Sequence, residues 1–366
     1  MNPSGDVIFV LPSARIGGGT QEAIRLCADL RMRGVDSRVL ALWKHPTALG
    51  LLESELFASV PITTLSRLTP RRRFAIPHMF LLMVLFLIYV WRAGIWRRGA
   101  KVKLVTTHYS TLPFGWFAPR LRRYCFLQDE EWLFVPDGMT RRILRSFILF
   151  CCASSRVVTS NEYISARISS AGIHPEAEAR IWASSLFESK EVSRDRSIDI
   201  AMLLRHGSIK RLDLYLQLLH SAGKKGRQFA VITCEDDIAE TASKSAAVCL
   251  LRPSDEEMKT LYERSKLFVL LSDREGFGLP PLEAMGSGCV PVCRDSGGIR
   301  CYMKGPLKEN VIPLDSPVEI VWERLDSLLA DPRHLSDLSD MARTIFAEGA
   351  RAAVEARSVA LTLLSS

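Results

Sequence analysis

The sequence lacks the features that would place it outside the ordinary globular proteins. Its nine cysteines include no CxxC pair and lie mostly in apolar runs, so we expect reduced core thiols rather than a disulfide framework or a zinc site. It has no internal repeat of 20–50 residues, and no basic, apolar leader that would predict a secretory signal. With 366 residues, of which 48% are hydrophobic, it is neither disordered nor collagen-like, and its length suits two domains.

Acidic residues are scarce in the first part of the chain. Residues 1–150 carry 21 Lys and Arg against 10 Asp and Glu, whereas residues 151–366 carry 27 against 30. The net charge of +8 therefore arises entirely from the first part. Such a basic half suggests an acidic partner, namely nucleic acid, anionic lipid or a phosphorylated substrate, with a merely solvated surface as the alternative.

The longest apolar run is too short to cross a bilayer as a helix. It covers the 13 residues from Met79 to Trp91, whereas a membrane-spanning helix needs about 20. Arginines flank both ends, at Arg71, Arg72, Arg73, Arg92, Arg97 and Arg98. We predict that the hydrophobic segment 74–96 is a helix that dips into one leaflet with its arginines on lipid phosphates. A buried core helix and a true span are the alternatives.

Short β-rich runs alternate with helical stretches along the chain. The run 7–13, a helical stretch and the run 37–43 form a βαβ unit, which is typical of a parallel sheet. The polar stretch 187–197 is predicted to be a linker. A second series of alternating β-rich runs and helical stretches begins at 198. The fold class predicted is therefore α/β, with two Rossmann-like doubly wound domains facing a cleft. Ligands of such sheets bind at the carboxyl ends of the strands.

Two short patterns at strand ends suit an anionic ligand. Gly17, Gly18 and Gly19 follow the first strand, and although they do not form a GxGxxG fingerprint, they let backbone amides approach an anion at a helix N-terminus. Arg205 ends a predicted strand, and Lys210 begins an amphipathic helix, so the two cations could hold a diphosphate. A plain turn and two solvated surface charges are the respective alternatives.

The pattern EGFGLPPLEAM at 275–285 is more specific. Glu275 follows the predicted strand 266–272, Gly276 and Gly278 leave the loop backbone open, and Glu283 lies in the helix that follows. Loop amides and the helix N-terminus suit a phosphate, and a carboxylate on each side accepts hydrogen bonds from sugar hydroxyls. The alternative is that one glutamate caps the helix and the other is solvated.

This segment resembles the E-x7-E region of glycosyltransferase family 4, the retaining enzymes of the two-domain GT-B architecture. Glu275 and Glu283 have the spacing of that motif, Arg205 and Lys210 match the family's Arg-x4-Lys pair, and SGGIR at 296–300 resembles its Gly–Gly loop. The resemblance covers about 199–345 and is one of layout across 1–190. It implies an acceptor-binding domain at 1–186, a donor-binding domain at 198–345, and a C-terminal helix at 346–366 that packs back on the first domain. The basic charge and the segment 74–96 predict that the first domain faces the membrane.

The resemblance also implies roles for the site residues. Arg205 and Lys210 would hold the nucleotide diphosphate and stabilise its charge as the glycosidic bond breaks, while Glu283 would accept hydrogen bonds from the ribose and Glu275 would contact the donor sugar. Further donor contacts would come from Gly17, Gly18, Gly19, Gly276, Phe277, Gly278 and Leu279. No cofactor or metal is expected, since fixed cations and helix-end amides supply the electrostatic stabilisation. We read the acidic runs 129–131 and 235–237 as non-ligands.

One departure from the family pattern concerns the group next to the donor sugar. Many members carry a histidine at the end of a first-domain strand. Here the corresponding strand ends in Gln128 and Asp129, and His108 ends the preceding strand. The catalytic group from the first domain is therefore predicted to be one of these three.

Together, the resemblance and the basic half predict a retaining glycosyltransferase. It would move a sugar from a nucleoside diphosphate to a lipid-linked or saccharide acceptor, at the cytoplasmic face of a membrane, in surface polysaccharide or glycolipid assembly. The alternatives are another GT-B activity, such as a nucleotide-sugar epimerase, and a non-catalytic module that binds membrane or nucleic acid. Aromatics of the basic half lie in apolar runs, which counts against nucleic acid.

Overall fold

The protein forms two compact units. A computed structural model describes residues 6–13, 18–43, 59–66, 75–189 and 196–366. The first unit comprises Met1–Ile181 and Glu355–Ser366, and the second comprises Trp182–Val354. Part of the predicted linker 187–197 lies outside the described residues. The predicted α/β class with two parallel sheets is confirmed, and the functions predicted for the two domains stay predictions.

The first unit is built on a seven-stranded parallel sheet in the order β3-β2-β1-β4-β5-β6-β7. Its strands are β1 (Val7–Ser13), β2 (Ser37–Trp43), β3 (Ile62–Ser66), β4 (Lys103–Thr106), β5 (Arg122–Leu127), β6 (Arg156–Thr159) and β7 (Ala177–Glu178). Its helices are α1 (Gly18–Met32), α2 (Ala75–Arg92), α3 (Ile95–Arg98), α4 (Met139–Ala153) and α5 (Glu162–Ser169). The strand order reverses between β1 and β4, and ligands of such sheets bind beside this reversal.

The second unit has a six-stranded parallel sheet in the order β10-β9-β8-β11-β12-β13. Its strands are β8 (Ile198–Leu204), β9 (Phe229–Thr233), β10 (Val248–Leu251), β11 (Ser265–Leu270), β12 (Val290–Arg294) and β13 (Val311–Ile312). Its helices are α6 (Leu212–Lys225), α7 (Asp236–Ala242), α8 (Asp255–Glu263), α9 (Leu279–Gly286), α10 (Val318–Ala330) and α11 (Pro332–Ser365), of which the last continues into the first unit. Here the order reverses between β8 and β11.

The cores explain why the central strands read as continuous apolar runs. Val7 to Leu11 of β1 are fully buried, because helices cover both faces of the sheet. On one face α1 packs with the last turns of α11, through residues such as Leu30 and Leu361. On the other face α2 contributes Leu82 and Phe86. Each strand therefore ends in a loop at a defined edge of the sheet, which places the site residues.

Helix α2 is apolar on both its buried and its exposed face. Leu82, Phe86 and Val90 are buried at helical spacing, whereas the side chains of Phe80 and Trp91 are 70% and 75% exposed. The segment is therefore not a fully buried core helix. In the described parts of the chain no single helix has the length and apolar character to cross a bilayer; Met79–Arg92 and Ile95–Lys101 meet that test only as a pair, bent by 66°.

The last turns of α11 are bound to the first unit by polar contacts as well as by packing. The guanidinium of Arg357 bonds to the carboxylates of Glu22 and Asp29 on α1. The buried ammonium of Lys103 on β4 donates to the carbonyl oxygen of Leu364 at 3.0 Å. Glu22 and Lys103 are almost completely buried, so these contacts satisfy charges that would otherwise be isolated from water.

Candidate functional site

In the second unit, the loop after β8 carries the two predicted cations. Arg205 is exposed, and Lys210 closes the short turn Ser208–Lys210. Gly207 has a φ of 139°, and a Cβ on it would lie 3.2 Å from Cγ of Lys210. Glycine at 207 therefore both permits the turn and leaves room for the lysine side chain.

The ammonium of Lys210 lies against the first glutamate of the E-x7-E pattern. Its Nζ is 2.7 Å from Oε1 of Glu275, and the two side chains are 29% and 15% exposed. The strands that precede them, β8 and β11, are parallel neighbours, so their carboxyl ends lie at the same edge. Two residues 65 positions apart in sequence thus form one ion pair at the reversal of strand order.

Glu275 is held in place by its backbone. Its N–H donates to the carbonyl oxygen of Ser296 at 2.8 Å, and its own carbonyl oxygen accepts from Gly298 at 3.0 Å, which forms a parallel bridge with the Gly–Gly loop. A Cβ on Gly298 would lie 2.3 Å from the carbonyl oxygen of Gly276. The glycines here allow two loops to pack directly against each other. The sequence pattern predicted an open loop backbone at Gly276 and Gly278 but not this close packing.

Helix α9 starts beside this bridge. Gly278 precedes it with a φ of 81°, and its carbonyl oxygen accepts a 2.6 Å hydrogen bond from the hydroxyl of Tyr302. Phe277 is buried, whereas Leu279, the first residue of the helix, is half-buried. These contacts fix the direction in which the amides of the α9 N-terminus point.

Glu283 and Arg205 both act electrostatically on the same buried phenol, that of Tyr262. Burial, together with the negative charge of Glu283, raises the pKa of Tyr262 well above its ordinary range, and the positive charge of Arg205 acts in the opposite direction. Glu283 itself is half-buried in the middle of α9. The structure therefore gathers all four charged residues predicted for the donor site, Arg205, Lys210, Glu275 and Glu283, around one end of the second sheet.

A cluster that could hold a cation lies next to Arg205. The ligand atoms of His206, Glu235 and Asp237 are all within 4.8 Å of one another. Nε2 of His206 is 2.7 Å from Oδ2 of Asp237, and Glu235 accepts the backbone N–H of His206 at 2.9 Å. These side chains are exposed or half-exposed, and their hydrogen bonds fix the 205–207 loop. The prediction that 235–237 are not metal ligands stays a prediction, and the position of His206 beside them was not evident from the sequence.

In the first unit, His108 follows β4 at the reversal of strand order. Its Nδ1 lies 2.8 Å from Oγ of Ser110, and its ring packs on that of Tyr109 with centroids 4.2 Å apart. Burial lowers the pKa of His108 to about 4, so the imidazole is neutral at pH 7.

Gln128 follows β5 and lies against the start of α1. A Cβ on Gly19 would be 2.9 Å from Oε1 of Gln128. That oxygen is buried and has no hydrogen-bond partner among the described residues. Gly18 begins α1, and Gly17 lies outside the described residues. The neighbouring strands β1, β4 and β5 end at one edge of the sheet. The loops after them lead to Gly19, His108 and Gln128, respectively.

In the acidic run after Gln128, the carboxyl groups of Glu130 and Glu131 accept hydrogen bonds from other groups of the protein. Glu131 accepts the backbone N–H of Tyr109 at 2.5 Å, and burial raises its pKa to about 8. Glu130 is buried and accepts from the hydroxyl of Tyr163 and from Nε of Arg167. The burial of these two carboxyl groups was not evident from the sequence, because their partners lie 22 to 37 residues away.

Residues 192–345 match the family model described as glycosyl transferases group 1. The match contains the Arg205, Lys210, Glu275 and Glu283 arrangement, so the predicted family resemblance of this group 1 segment is confirmed.

Parts of the chain also match curated proteins. A GDP-mannose:cellobiosyl-diphosphopolyprenol alpha-mannosyltransferase of Xanthomonas oryzae pv. oryzae is 33% identical over 91 residues, which is 22% of this chain and 24% of that one. The curated matches span 17%, 24% and 15% of the relatives' own lengths. The chain thus aligns with less than a quarter of each of these relatives.

Solved structures resemble the whole chain. Sucrose-phosphate synthase from Thermosynechococcus elongatus has a TM-score of 0.75 at 12% identity and covers 98% of this chain and 99% of its own. Anabaena Alr3699/HepE in complex with UDP and glucose has a TM-score of 0.72 at 14% identity, with coverage of 99% and 100%. These likenesses show that the chain has the GT-B fold.

Proposed function

We propose that the protein is a retaining glycosyltransferase that takes a sugar from a nucleoside-diphosphate donor bound by its second unit. The observation that carries this proposal is the Lys210–Glu275 ion pair at the end of β8 and β11, within the group 1 segment. A buried or half-buried pair at this edge provides both a cation for a phosphate and a carboxylate for a hydroxyl.

The cations act on the leaving group. As the bond between the sugar and the diphosphate breaks, negative charge develops on the phosphate oxygens, and Lys210 and Arg205 stabilise it without having to reorganise. The amides at the N-terminus of α9 add partial positive charge on the same side. Because Glu275 already holds the ammonium of Lys210, the cation is in position before the donor binds.

The carboxylates orient the donor. Glu275 uses Oε1 for Lys210, which leaves Oε2 to accept a hydrogen bond from a sugar hydroxyl. Glu283, on α9, is placed to accept hydrogen bonds from the two hydroxyls of a ribose. The backbone of 276–279 would supply the rest of the donor site in the second unit.

The acceptor is proposed to be lipid-linked. The Xanthomonas relative is named for a polyprenol-linked acceptor and a GDP-mannose donor, and the Anabaena structure is described with UDP and glucose. An acceptor of this kind resides in a membrane, so the enzyme would have to bind the bilayer surface from the cytoplasmic side, in surface polysaccharide or glycolipid assembly.

The first unit exposes an apolar and basic surface suited to this. We define it by α2, the segment 112–117 and α4. The segment contacts both helices, since Phe114 packs edge-on against Phe86 of α2 at 5.1 Å, and Trp116 packs against Phe150 of α4 at 4.8 Å. Besides α2, large apolar side chains of α4 are exposed, including Met139 at 68% and Phe150 at 57%.

The charge of this apolar and basic surface fits anionic lipid. Residues 56–128 and 138–161 contain no Asp or Glu. Within the described residues, the exposed arginines of this surface pair with no carboxylate, namely Arg92, Arg142 and Arg145. Each such cation near an anionic leaflet contributes about 1 kcal/mol of binding, and exposed apolar side chains insert below the headgroups.

The donor site is tested with purified protein and a panel of nucleoside diphosphates, UDP, GDP, ADP and dTDP, followed by calorimetry. We expect one of them to bind, and Lys210→Met to weaken that binding at least about tenfold. Lys308→Met, which removes an exposed lysine outside the site in the same unit, should leave it unchanged. If no nucleoside diphosphate binds the wild type, the proposal is wrong.

The stereochemistry is tested separately. With the matching nucleotide sugar and a polyprenyl-diphosphate saccharide as acceptor, NMR of the product should show the anomeric configuration of the donor. A product of the opposite configuration would contradict the retaining mechanism while leaving the donor site intact.

A further inference from the structure

Asp273 is a residue outside the E-x7-E pattern that connects the two loops of the donor site. It lies two positions before Glu275, and its backbone N–H donates to the carbonyl oxygen of Ile209 at 2.9 Å. Its Oδ1 accepts from Nη1 of Arg211 at 3.2 Å. Asp273 therefore holds the residue before Lys210 and the residue after it.

The loop that Asp273 holds contains an unfavourable backbone conformation. Arg211 has φ 51° and ψ 47°, the left-handed region that residues with a Cβ seldom adopt. Such a conformation persists only where surrounding contacts hold it. Here the guanidinium of Arg211 is held by Asp273 and also by Asp213, whose Oδ2 lies 2.8 Å from Nη2.

Asp273 is in turn held by a buried arginine. Arg294, the last residue of β12, has a side chain only 3% exposed, and its Nη1 donates to Oδ1 of Asp273 at 2.6 Å and to the carbonyl oxygen of Leu271 at 3.4 Å. Its Nε is buried and has no hydrogen-bond partner among the described residues. A buried guanidinium with one donor unsatisfied lowers the stability of the fold relative to an apolar side chain of similar size, because an apolar side chain needs no hydrogen-bond partner there.

We propose that Arg294 and Asp273 are positioning residues that keep Lys210 against Glu275, and that they thereby determine how tightly the diphosphate of the donor is held. The chain of contacts runs from the core through Arg294, Asp273 and Arg211 to the loop of Lys210. Neither positioning residue needs to touch the donor. This inference rests on the proposed function, because it assigns the role of Lys210 to phosphate binding.

The test combines Arg294→Met, Asp273→Asn and Arg294→Lys with the nucleoside diphosphate that binds the wild type. Methionine fills the buried site without a charge, so we expect the melting temperature of Arg294→Met to stay close to that of the wild type. Its affinity for the nucleoside diphosphate should fall about tenfold, as should that of Asp273→Asn. Arg294→Lys, which retains the cation, should recover most of the affinity.

A double-mutant cycle separates positioning from a general structural effect. In a Lys210→Met background, Arg294→Met should cause no further loss of affinity, because the lysine through which it acts is gone. Equal losses in both backgrounds would overturn the inference, as would an unchanged affinity in Arg294→Met with Lys210 present. If Arg294→Met does not fold, the same cycle is measured with Asp273→Asn, whose partly exposed side chain is replaced by an isostere.

The two proposals fail in different ways. A wild type that binds no nucleoside diphosphate overturns both. A wild type that binds one, and loses it on Lys210→Met but not on Arg294→Met or Asp273→Asn, supports the donor site and overturns the positioning role alone.

Discussion

Glu131 is a buried carboxyl group in the first unit whose ionisation links stability to pH. Burial raises its pKa from 4.5 to about 8, although the hydrogen bond from the backbone of Tyr109 acts against this. The folded protein therefore favours the protonated acid. Its contribution to stability is complete below pH 4.5, the pKa in the unfolded chain, and is lost as the pH rises through 8.

Replacing Glu131 by glutamine should therefore stabilise the protein in alkaline solution. The amide keeps an oxygen for Tyr109 and cannot ionise, so at pH 8.5 we expect Glu131→Gln to gain on the order of 2–4 kcal/mol over the wild type, with little difference at pH 4.5. Urea unfolding at the two pH values measures this. As a control, Glu130→Gln should destabilise at pH 8.5, because it removes the carboxylate that binds Arg167. A difference between Glu131→Gln and wild type that does not grow with pH would contradict the assignment.

Single residues of the proposed donor site could be suggested from the sequence only where they belong to a local pattern. Glu275 and Glu283 stand out because their spacing is local, and Arg205 and Lys210 because they follow a strand. Arg294 and Asp273 carry no such signal, since their contact joins residues 21 positions apart and depends on a buried side chain. Their assignment needed the tertiary structure.

Helix α11 is an element that the two units share. Arg357 on its last turns bonds to Glu22 and Asp29 on α1, and Glu22 is 3% exposed. Arg25, the other cation near Glu22, lies at 3.9 Å. The stability of the first unit thus depends on a helix whose larger part belongs to the second.

Removing this arginine should destabilise the first unit. Arg357→Met leaves the carboxylate of Glu22 buried with only a distant cation, so we expect a loss of about 3 kcal/mol in the free energy of unfolding. Arg351→Met, on an exposed position of the same helix, provides the matched control and should change it by less than about 0.5 kcal/mol. Equal effects of the two substitutions in chemical denaturation would show that the Glu22 contact is not what holds the helix.

The elements were predictable to different degrees. Periodicity indicated the βαβ start and the helix at 74–96, because their apolar spacing is set by burial. The two-sided character of α2 was not evident, since Leu82 and Phe80 are equally apolar and only the packing on β1, β2 and β4 distinguishes them. The exposed side of α4 was likewise not singled out from its sequence.

For the molecule as a whole, alternating strands and helices were enough to predict two parallel sheets. That prediction is confirmed by the two observed sheets. It could be made because connections between parallel strands follow strict rules of length and hand. The family resemblance rested on the E-x7-E segment, which lies within the matched residues 192–345. The acceptor, the membrane and the roles of the site residues stay proposals.

Membrane binding by the apolar and basic surface can be measured by vesicle flotation. The protein should float with vesicles of phosphatidylglycerol and phosphatidylcholine and bind vesicles of phosphatidylcholine alone much more weakly, and binding should fall with salt. Phe150→Glu in α4 should lower flotation several-fold, because it places a charge where an apolar side chain inserts. Val359→Glu, at an equally exposed apolar position on α11, is the control. Equal flotation of the two variants would show that α4 does not face the lipid.

The shared helix has a consequence for synthesis. A ribosome completes Trp182–Val354 before it makes Glu355–Ser366, and the core of the first unit includes Ala360, Leu361 and Leu364. The unit that begins the chain therefore cannot close its core during translation of its own sequence, and it waits for the last turns of α11 to leave the exit tunnel. Until then its apolar surface is open to chaperones, and the second unit is the first to finish folding.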